Sequence, residues 1–126
     1  MTNSGLLKGK RLLIVEDEFI IAQEIANFVR DRGGEVAAMT GHLDQALKAA
    51  DDGLHGALHG ALVDVQLGEV ESYPVVEKLR GAGVPVILMT GYTTTNLRED
   101  MQDCPAVTKP FPQKKLEALV REVFCG

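Results

Sequence analysis

Apolar residues fall along this chain in two alternating patterns. Short unbroken runs read as buried strands, and stretches where they recur every three or four positions read as one face of a helix. "RLLIVED" is a first strand, and "FIIAQEIANFVRDRGG" a helix with Phe19, Ile20, Ile25, Phe28 and Val29 on one face, ending at Gly33-Gly34. "EVAAMT" is a second strand, followed by the helix "LDQALKAADDG", stopped at Gly53. "ALVDV" is a third, and "YPVVEKLRGAG" a helix with Pro74 in its first turn, where a missing N–H costs nothing. "VPVILMTG" is a fourth strand, and the polar, threonine-rich "TTTNLREDMQD" a weak fourth helix. "PAVTKPF" is a short fifth strand closed by Pro110. "QKKLEALVREVF" ends the chain as a helix with Leu116, Leu119, Val120, Val123 and Phe124 on one face.

Five apolar strands alternating with helices predict an α/β fold, a parallel sheet covered on both faces. Such sheets bind ligands beyond the carboxyl ends of their strands. The 126 residues suit one domain, with a core over about residues 10–124, and the reading leaves no room for an output domain. The echo "LHGALHGA", Leu54 to Ala61, is too short for a repeat architecture.

Charge narrows the function. A net charge of −5 argues against a nucleic-acid partner, which a basic surface would recognise. No run approaches the roughly 18 apolar residues of a membrane span. The start "MTNSGLLKGK" lacks a secretory h-region, so a cytoplasmic protein with no membrane partner is expected. Cys104 and Cys125 are isolated and expected to be free thiols. His55 and His59 lie four apart without a third ligand and read as a polar loop edge. His42 carries no signal, and Lys114-Lys115 reads as a solvated helix face.

The chemistry gathers at the carboxyl edge of the predicted sheet. Glu16 and Asp17 end the first strand beside Glu18, Asp64 ends the third, Thr90 the fourth and Lys109 the fifth. Each has an ordinary explanation as a turn, cap or first-turn residue. Their convergence on one edge favours a site for a hard dication such as Mg²⁺, which takes carboxylates and shares a phosphate oxygen. An ionised Asp64 could then attack a phosphoryl group, with Lys109 and Thr90 neutralising and contacting it.

In that order, "LIVEDE", "ALVDVQL", "VILMTGY" and "VTKPF" resemble the receiver domains of two-component response regulators over nearly the whole chain. The resemblance implies a flavodoxin-like, doubly wound sheet of five parallel strands, order 2-1-3-4-5, with five helices. It implies Asp64 as phosphoacceptor in a phosphorelay, and Glu16, Asp17, Asp64 and the backbone carbonyl of Gln66 as Mg²⁺ ligands. Thr90 becomes the switch hydroxyl with Gly91 beside it, and Lys109 the phosphoryl counter-ion. Gln66 and Tyr92 occupy positions that tune hydrolysis of the acyl phosphate. Ala106 stands where the family usually has an aromatic reporter of activation, and Tyr92 is an aromatic supplied from elsewhere.

"PVILMTGY" and "SYP" resemble in part the receiver subgroup named FATGUY, linked to HWE-type histidine kinases. The implied partners are such a kinase or a histidine phosphotransfer protein. Downstream, a protein would bind the face of the fourth helix, fifth strand and fifth helix, with the chain monomeric or dimerising on phosphorylation. The polar fourth helix is expected to be mobile until Thr90 and Tyr92 are drawn to the phosphoryl group. The chain would then be a signalling receiver rather than an enzyme, catalysing only its own phosphorylation and dephosphorylation. Two alternatives compete: a receiver-like module independent of phosphorylation, and a phosphatase of the haloacid dehalogenase type. The second lacks its Asp-x-Asp after the first strand and a cap domain. A dinucleotide site is disfavoured because no Gly-x-Gly-x-x-Gly follows that strand.

Overall fold

The computed structural model describes residues 5–55, 58–91 and 97–125. Its elements run β1 (Arg11–Val15), α1 (Phe19–Asp31), β2 (Glu35–Thr40), α2 (Leu43–His55), β3 (Gly60–Asp64), β4 (Gln66–Leu67), β5 (Val70–Glu71), α3 (Tyr73–Gly81), β6 (Val86–Gly91), a 3-10 turn (Glu99–Met101), β7 (Ala106–Lys109) and α4 (Gln113–Phe124).

Five strands form one parallel sheet in the order β2-β1-β3-β6-β7, parallel as the alternation of runs and periodic stretches predicts and doubly wound as the resemblance implies. The strand side chains alternate between two cores, as the pleat requires. Leu12, Ile14, Leu62, Ile87 and Met89 face α1 and α4, meeting Ile25, Phe28, Val29, Leu116, Val120 and Phe124. Leu13, Val15, Ala61, Val63 and Leu88 face α2 and α3, meeting Ala46, Ala50, Val75, Val76 and Leu79. β3 is buried along its whole length, which is why its sequence shows no polar alternation. Gly60 opens that strand under the Phe124 ring, and a Cβ there would lie 2.4 Å from a ring carbon.

The structure departs from the sequence reading in four places. Four α-helices are present among the described residues, not five. Of the expected fourth helix, residues 93–96 lie outside the described residues, Leu97 and Arg98 have no regular structure, and Glu99–Met101 form only a 3-10 turn. Leu97 and Met101 nevertheless pack against the α2–α3 core. α2 runs through Gly53 to His55, because a glycine mid-helix weakens a helix without ending it. Phe19 and Ile20 open α1 but stand 72% and 73% exposed, and the buried residues of the helix begin only at Ala22. Finally, Gln66–Leu67 and Val70–Glu71 pair as a small antiparallel hairpin between β3 and α3, too short to leave a periodic signal.

Cys104 and Cys125 are free thiols, the first buried and the second exposed. His59 is a structural residue: its Nδ1 accepts the Arg11 main-chain N–H at 2.9 Å. The side chain of His55 lies outside the described residues. Lys114 and Lys115 are exposed on α4. Among the described residues, no helix is long and apolar enough to cross a membrane.

Candidate functional site

The carboxyl ends of β1, β3, β6 and β7 open on one edge, and strand register fixes which residues meet there. Val15 pairs with Val63, so Glu16 follows β1 at the level where Asp64 ends β3. Asp64 pairs with Met89, placing Thr90 one residue beyond it, and Gly91 pairs with Lys109. The sheet thus gathers Glu16, Asp17, Asp64, Thr90 and Lys109, which are scattered over most of the chain.

Lys109 is the hub of the site. Its Nζ donates to Asp64 Oδ2 at 2.9 Å and to Glu16 Oε1 at 3.2 Å, and lies 3.4 Å from Glu18 Oε1. The Glu16 side chain is fully buried, Asp64 nearly so, and that of Lys109 is 14% exposed. Burial works against the ammonium, but the hydrogen bond to Asp64 and the fields of Glu16 and Asp64 outweigh it, and the Lys109 pKa is raised. Burial also pushes the Glu16 carboxyl up to about 8. Its interaction with Asp64 adds to that rise, while the Glu18 N–H and Lys109 oppose it. The cluster is tolerable because the Lys109 ammonium serves three carboxyl groups, one of which, Glu16, holds its proton up to about pH 8.

Donor oxygens of Glu16, Asp17 and Asp64 all lie within 4.8 Å of one another. A set of three anionic oxygens beside water-accessible Asp17 suits a hard dication such as Mg²⁺, and nothing in it is soft enough to select a thiophilic metal. Asp17 is held by the Gly68 N–H, which donates to its Oδ2 at 3.0 Å, so the hairpin braces the acidic pair. Gly41 lies against the same pair from the β2–α2 loop, where a Cβ would stand 2.7 Å from the Asp17 Cα.

The carboxylate of Asp64 is fixed at both oxygens. Oδ1 accepts the Gln66 N–H at 3.1 Å, and Oδ2 accepts from Lys109. Gln66 itself is exposed, with its side-chain amide donating to the Gly68 carbonyl at 2.9 Å. Thr90 is buried at the end of β6, and Gly91 is half-buried. Ala106 is exposed at the start of β7, paired with Leu88, and carries no aromatic ring. Tyr92 lies outside the described residues. Three contributors escaped the sequence reading: Glu18 as a third carboxylate on Lys109, the Gly68 amide on Asp17, and Ser72 behind Asp64. Glu18 was visible as part of "EDE", but the other two depend on a hairpin without a pattern.

A family model for the response regulator receiver domain matches residues 12–121. The chain belongs to the receiver domain family. Among relatives, transcriptional regulatory protein DltR of Streptococcus agalactiae is 34% identical over 120 residues, covering 88% of this chain and 50% of DltR. Transcriptional regulatory protein PdtaR of Mycobacterium tuberculosis is 25% identical over 117 residues, covering 87% of this chain and 54% of PdtaR. This receiver chain therefore spans about half the length of those relatives. The solution structure of the PhyR response regulator REC domain from Erythrobacter litoralis superimposes with a TM-score of 0.77 at 28% identity, covering 91% of this chain and 89% of that one. SdrG from Sphingomonas melonis superimposes with a TM-score of 0.79, also at 28% identity, covering 91% of this receiver and 94% of SdrG. The function that goes with membership is that of a signalling receiver in a two-component system.

Proposed function

We propose that this receiver accepts a phosphoryl group on Asp64 from a phosphohistidine donor and passes the signal to a protein partner. The observation that carries the reading is Lys109 bonded at once to Asp64 and Glu16, with Asp17 completing an acidic trio on the same edge.

Glu16, Asp17, Asp64 and the Gln66 backbone carbonyl would hold Mg²⁺. When bound, the ion supplies charge neutralisation on the phosphoryl oxygens and a fixed point for their approach. The chain's own groups do the rest. An Asp64 carboxylate oxygen forms the new bond to phosphorus, the bond from phosphorus to the donor imidazole nitrogen breaks, and the leaving imidazole keeps the electron pair and is reprotonated. Lys109 gives up its contact with Glu16 to hold a phosphoryl oxygen, and the Thr90 hydroxyl moves to another. Gly91 leaves room for that approach. Gln66 and Tyr92 set how readily water reaches the acyl phosphate, so the receiver governs its own phosphorylation and dephosphorylation.

The donor is a histidine kinase, of the HWE type by the partial FATGUY match, or a histidine phosphotransfer protein. Exposed Phe19 and Ile20 give that donor an apolar contact beside the acidic edge. The downstream partner is a protein that binds the surface of the 97–103 segment, β7 and α4, with the chain monomeric or dimerising on phosphorylation.

Intact mass after incubation with acetyl phosphate tests the reading. One added phosphoryl group that requires both Mg²⁺ and Asp64, and is lost in Asp64→Ala, supports it. No adduct, together with no response to beryllofluoride, would leave a binding module that does not use phosphorylation.

A further inference from the structure

Ser72 precedes α3, in the position where a serine ordinarily accepts an N–H of the helix's first turn. Its side chain makes no such cap bond. The hydroxyl instead donates to the main-chain carbonyl of Asp64 at 2.6 Å, and Ser72 is fully buried. Its own main-chain N–H donates to the Val65 carbonyl at 2.8 Å.

These two bonds fall on consecutive peptide units. The first unit joins Asp64 to Val65: its carbonyl accepts from the Ser72 hydroxyl, and its N–H donates to the Met89 carbonyl at 3.0 Å. The second joins Val65 to Gln66: its carbonyl accepts from the Ser72 N–H, and its N–H donates to Asp64 Oδ1 at 3.1 Å. Ser72 therefore holds both peptide planes that follow Asp64, including the one whose N–H orients the carboxylate. The Asp64 carbonyl needs such a donor. β1 ends at Val15, opposite Val63, and beyond that point β3 has a ladder partner only on the β6 side. A buried carbonyl without a donor is costly, so a hydroxyl at this spot satisfies the fold and aims the carboxylate in one bond.

We propose that Ser72 is a positioning residue for phosphorylation: through its hydroxyl and N–H it fixes the peptides after Asp64 and so sets the direction of the attacking carboxylate. This rests on Asp64 being the phosphoacceptor. Ser72 makes no hydrogen bond to Glu16, Asp17 or Lys109, so its loss leaves those groups in place, and measuring the rate at saturating Mg²⁺ separates slowed attack from any weaker hold on the ion through Asp64.

The test measures phosphorylation of the full chain by acetyl phosphate across a Mg²⁺ titration, in wild type, Ser72→Ala, Ser72→Gly and Ser72→Thr. Because misplacing a reacting group by a fraction of an ångström slows attack severalfold or more, Ser72→Ala and Ser72→Gly should lose about tenfold in rate at saturating Mg²⁺ and donor. The loss should persist at saturating Mg²⁺, and Ser72→Thr, which keeps the hydroxyl, should react faster than Ser72→Ala. Glycine is tolerated at helix N-caps, so Ser72→Gly provides a folded comparison if alanine disturbs the chain. Either hydroxyl-free variant reacting at the wild-type saturating rate overturns the proposal. So does a loss that follows only a weaker affinity for Mg²⁺, or a threonine variant no faster than alanine. A wild-type chain that gains no phosphoryl group would instead sink the assignment of Asp64, and this role with it.

Discussion

The phenolic oxygen of Tyr73 accepts the main-chain N–H of Arg98 at 3.0 Å, and the Arg98 guanidinium lies over the same ring, 4.8 Å from its centroid. Arg98 also pairs with Glu77 of α3 and with Asp100. Tyr73 and Glu77 of α3 thus anchor the chain as it leads into the 3-10 turn. Tyr73 is adjacent to Ser72, so the dipeptide joins the Asp64 backbone at one end to Arg98 at the other.

Tyr73→Phe should release that anchor while keeping the ring in the core. A neutral hydrogen bond of this kind contributes about 1 kcal/mol, so global stability should fall by about that much or less. Amide hydrogen exchange is the sharper readout: the Arg98 N–H should exchange faster, and those within α3 should not. Equal exchange at Arg98 in both proteins would mean that the ion pairs and ring stacking alone hold the segment.

The Lys109 cluster predicts opposite effects from two neutralising substitutions. Lys109→Gln leaves Glu16 and Asp64 facing each other without their shared cation, and breaking a largely buried pair should cost about 3 kcal/mol. Asp64→Asn removes one of the like charges and keeps an oxygen for Lys109, so the Mg²⁺-free chain should melt a few degrees higher. Thermal unfolding without divalent ions above pH 8, where Glu16 is ionised, checks both signs. A stabilised Lys109→Gln would show that the ammonium is held at a net cost.

Much of this site could be read from sequence because it is built at strand ends. The apolar runs before Glu16, Asp64, Thr90 and Lys109 locate strands, and parallel pairing leaves those residues at one edge whatever the loops do. The helix faces were legible where burial continued through a whole turn, as at Ile25, Phe28 and Val29, and at Leu116, Val120 and Phe124. They misled at Phe19 and Ile20, because periodicity records which side of a helix faces inward but not where the sheet beneath it stops. The β4–β5 hairpin was invisible for a different reason. Two-residue strands carry no period, and their role comes from single bonds such as the Gly68 N–H to Asp17. Ser72 has the residue type and position of a helix N-cap, and only the observed direction of its hydroxyl separates capping from support of Asp64.

Glu16 gives the receiver a pH signature. Its carboxyl, raised by burial and by its interaction with Asp64 from 4.5 to about 8, binds a proton more tightly in the folded chain than in the unfolded one. Its contribution to stability is therefore full below about 4.5 and is lost as pH rises through about 8. Without Mg²⁺, the Glu16 contribution should make stability fall between about pH 4.5 and 8. Mg²⁺ must displace that proton to engage Glu16, so its apparent affinity should rise with pH by up to about tenfold per unit below pH 8. Melting curves with and without Mg²⁺ at several pH values measure both trends, and Glu16→Gln should flatten them. If the trends persist in Glu16→Gln, another group is responsible.

Gly41 offers a probe of the acidic pair that leaves every ligand in place. An added Cβ would stand 2.7 Å from the Asp17 Cα and 3.0 Å from the Glu16 carbonyl oxygen, both backbone atoms that cannot swing aside as a side chain would. Gly41→Ala must therefore push the β2–α2 loop away or shift Asp17. The strain should cost about 1–3 kcal/mol, as overpacking of a well-filled site does. If Asp17 moves, Mg²⁺ affinity should drop several-fold while the charge of the site is unchanged. Calorimetric titration of Mg²⁺ into Gly41→Ala and wild type separates the two responses. Weaker binding assigns Gly41 to the support of the metal ligands, and unchanged binding with a lower melting temperature assigns the strain to the loop.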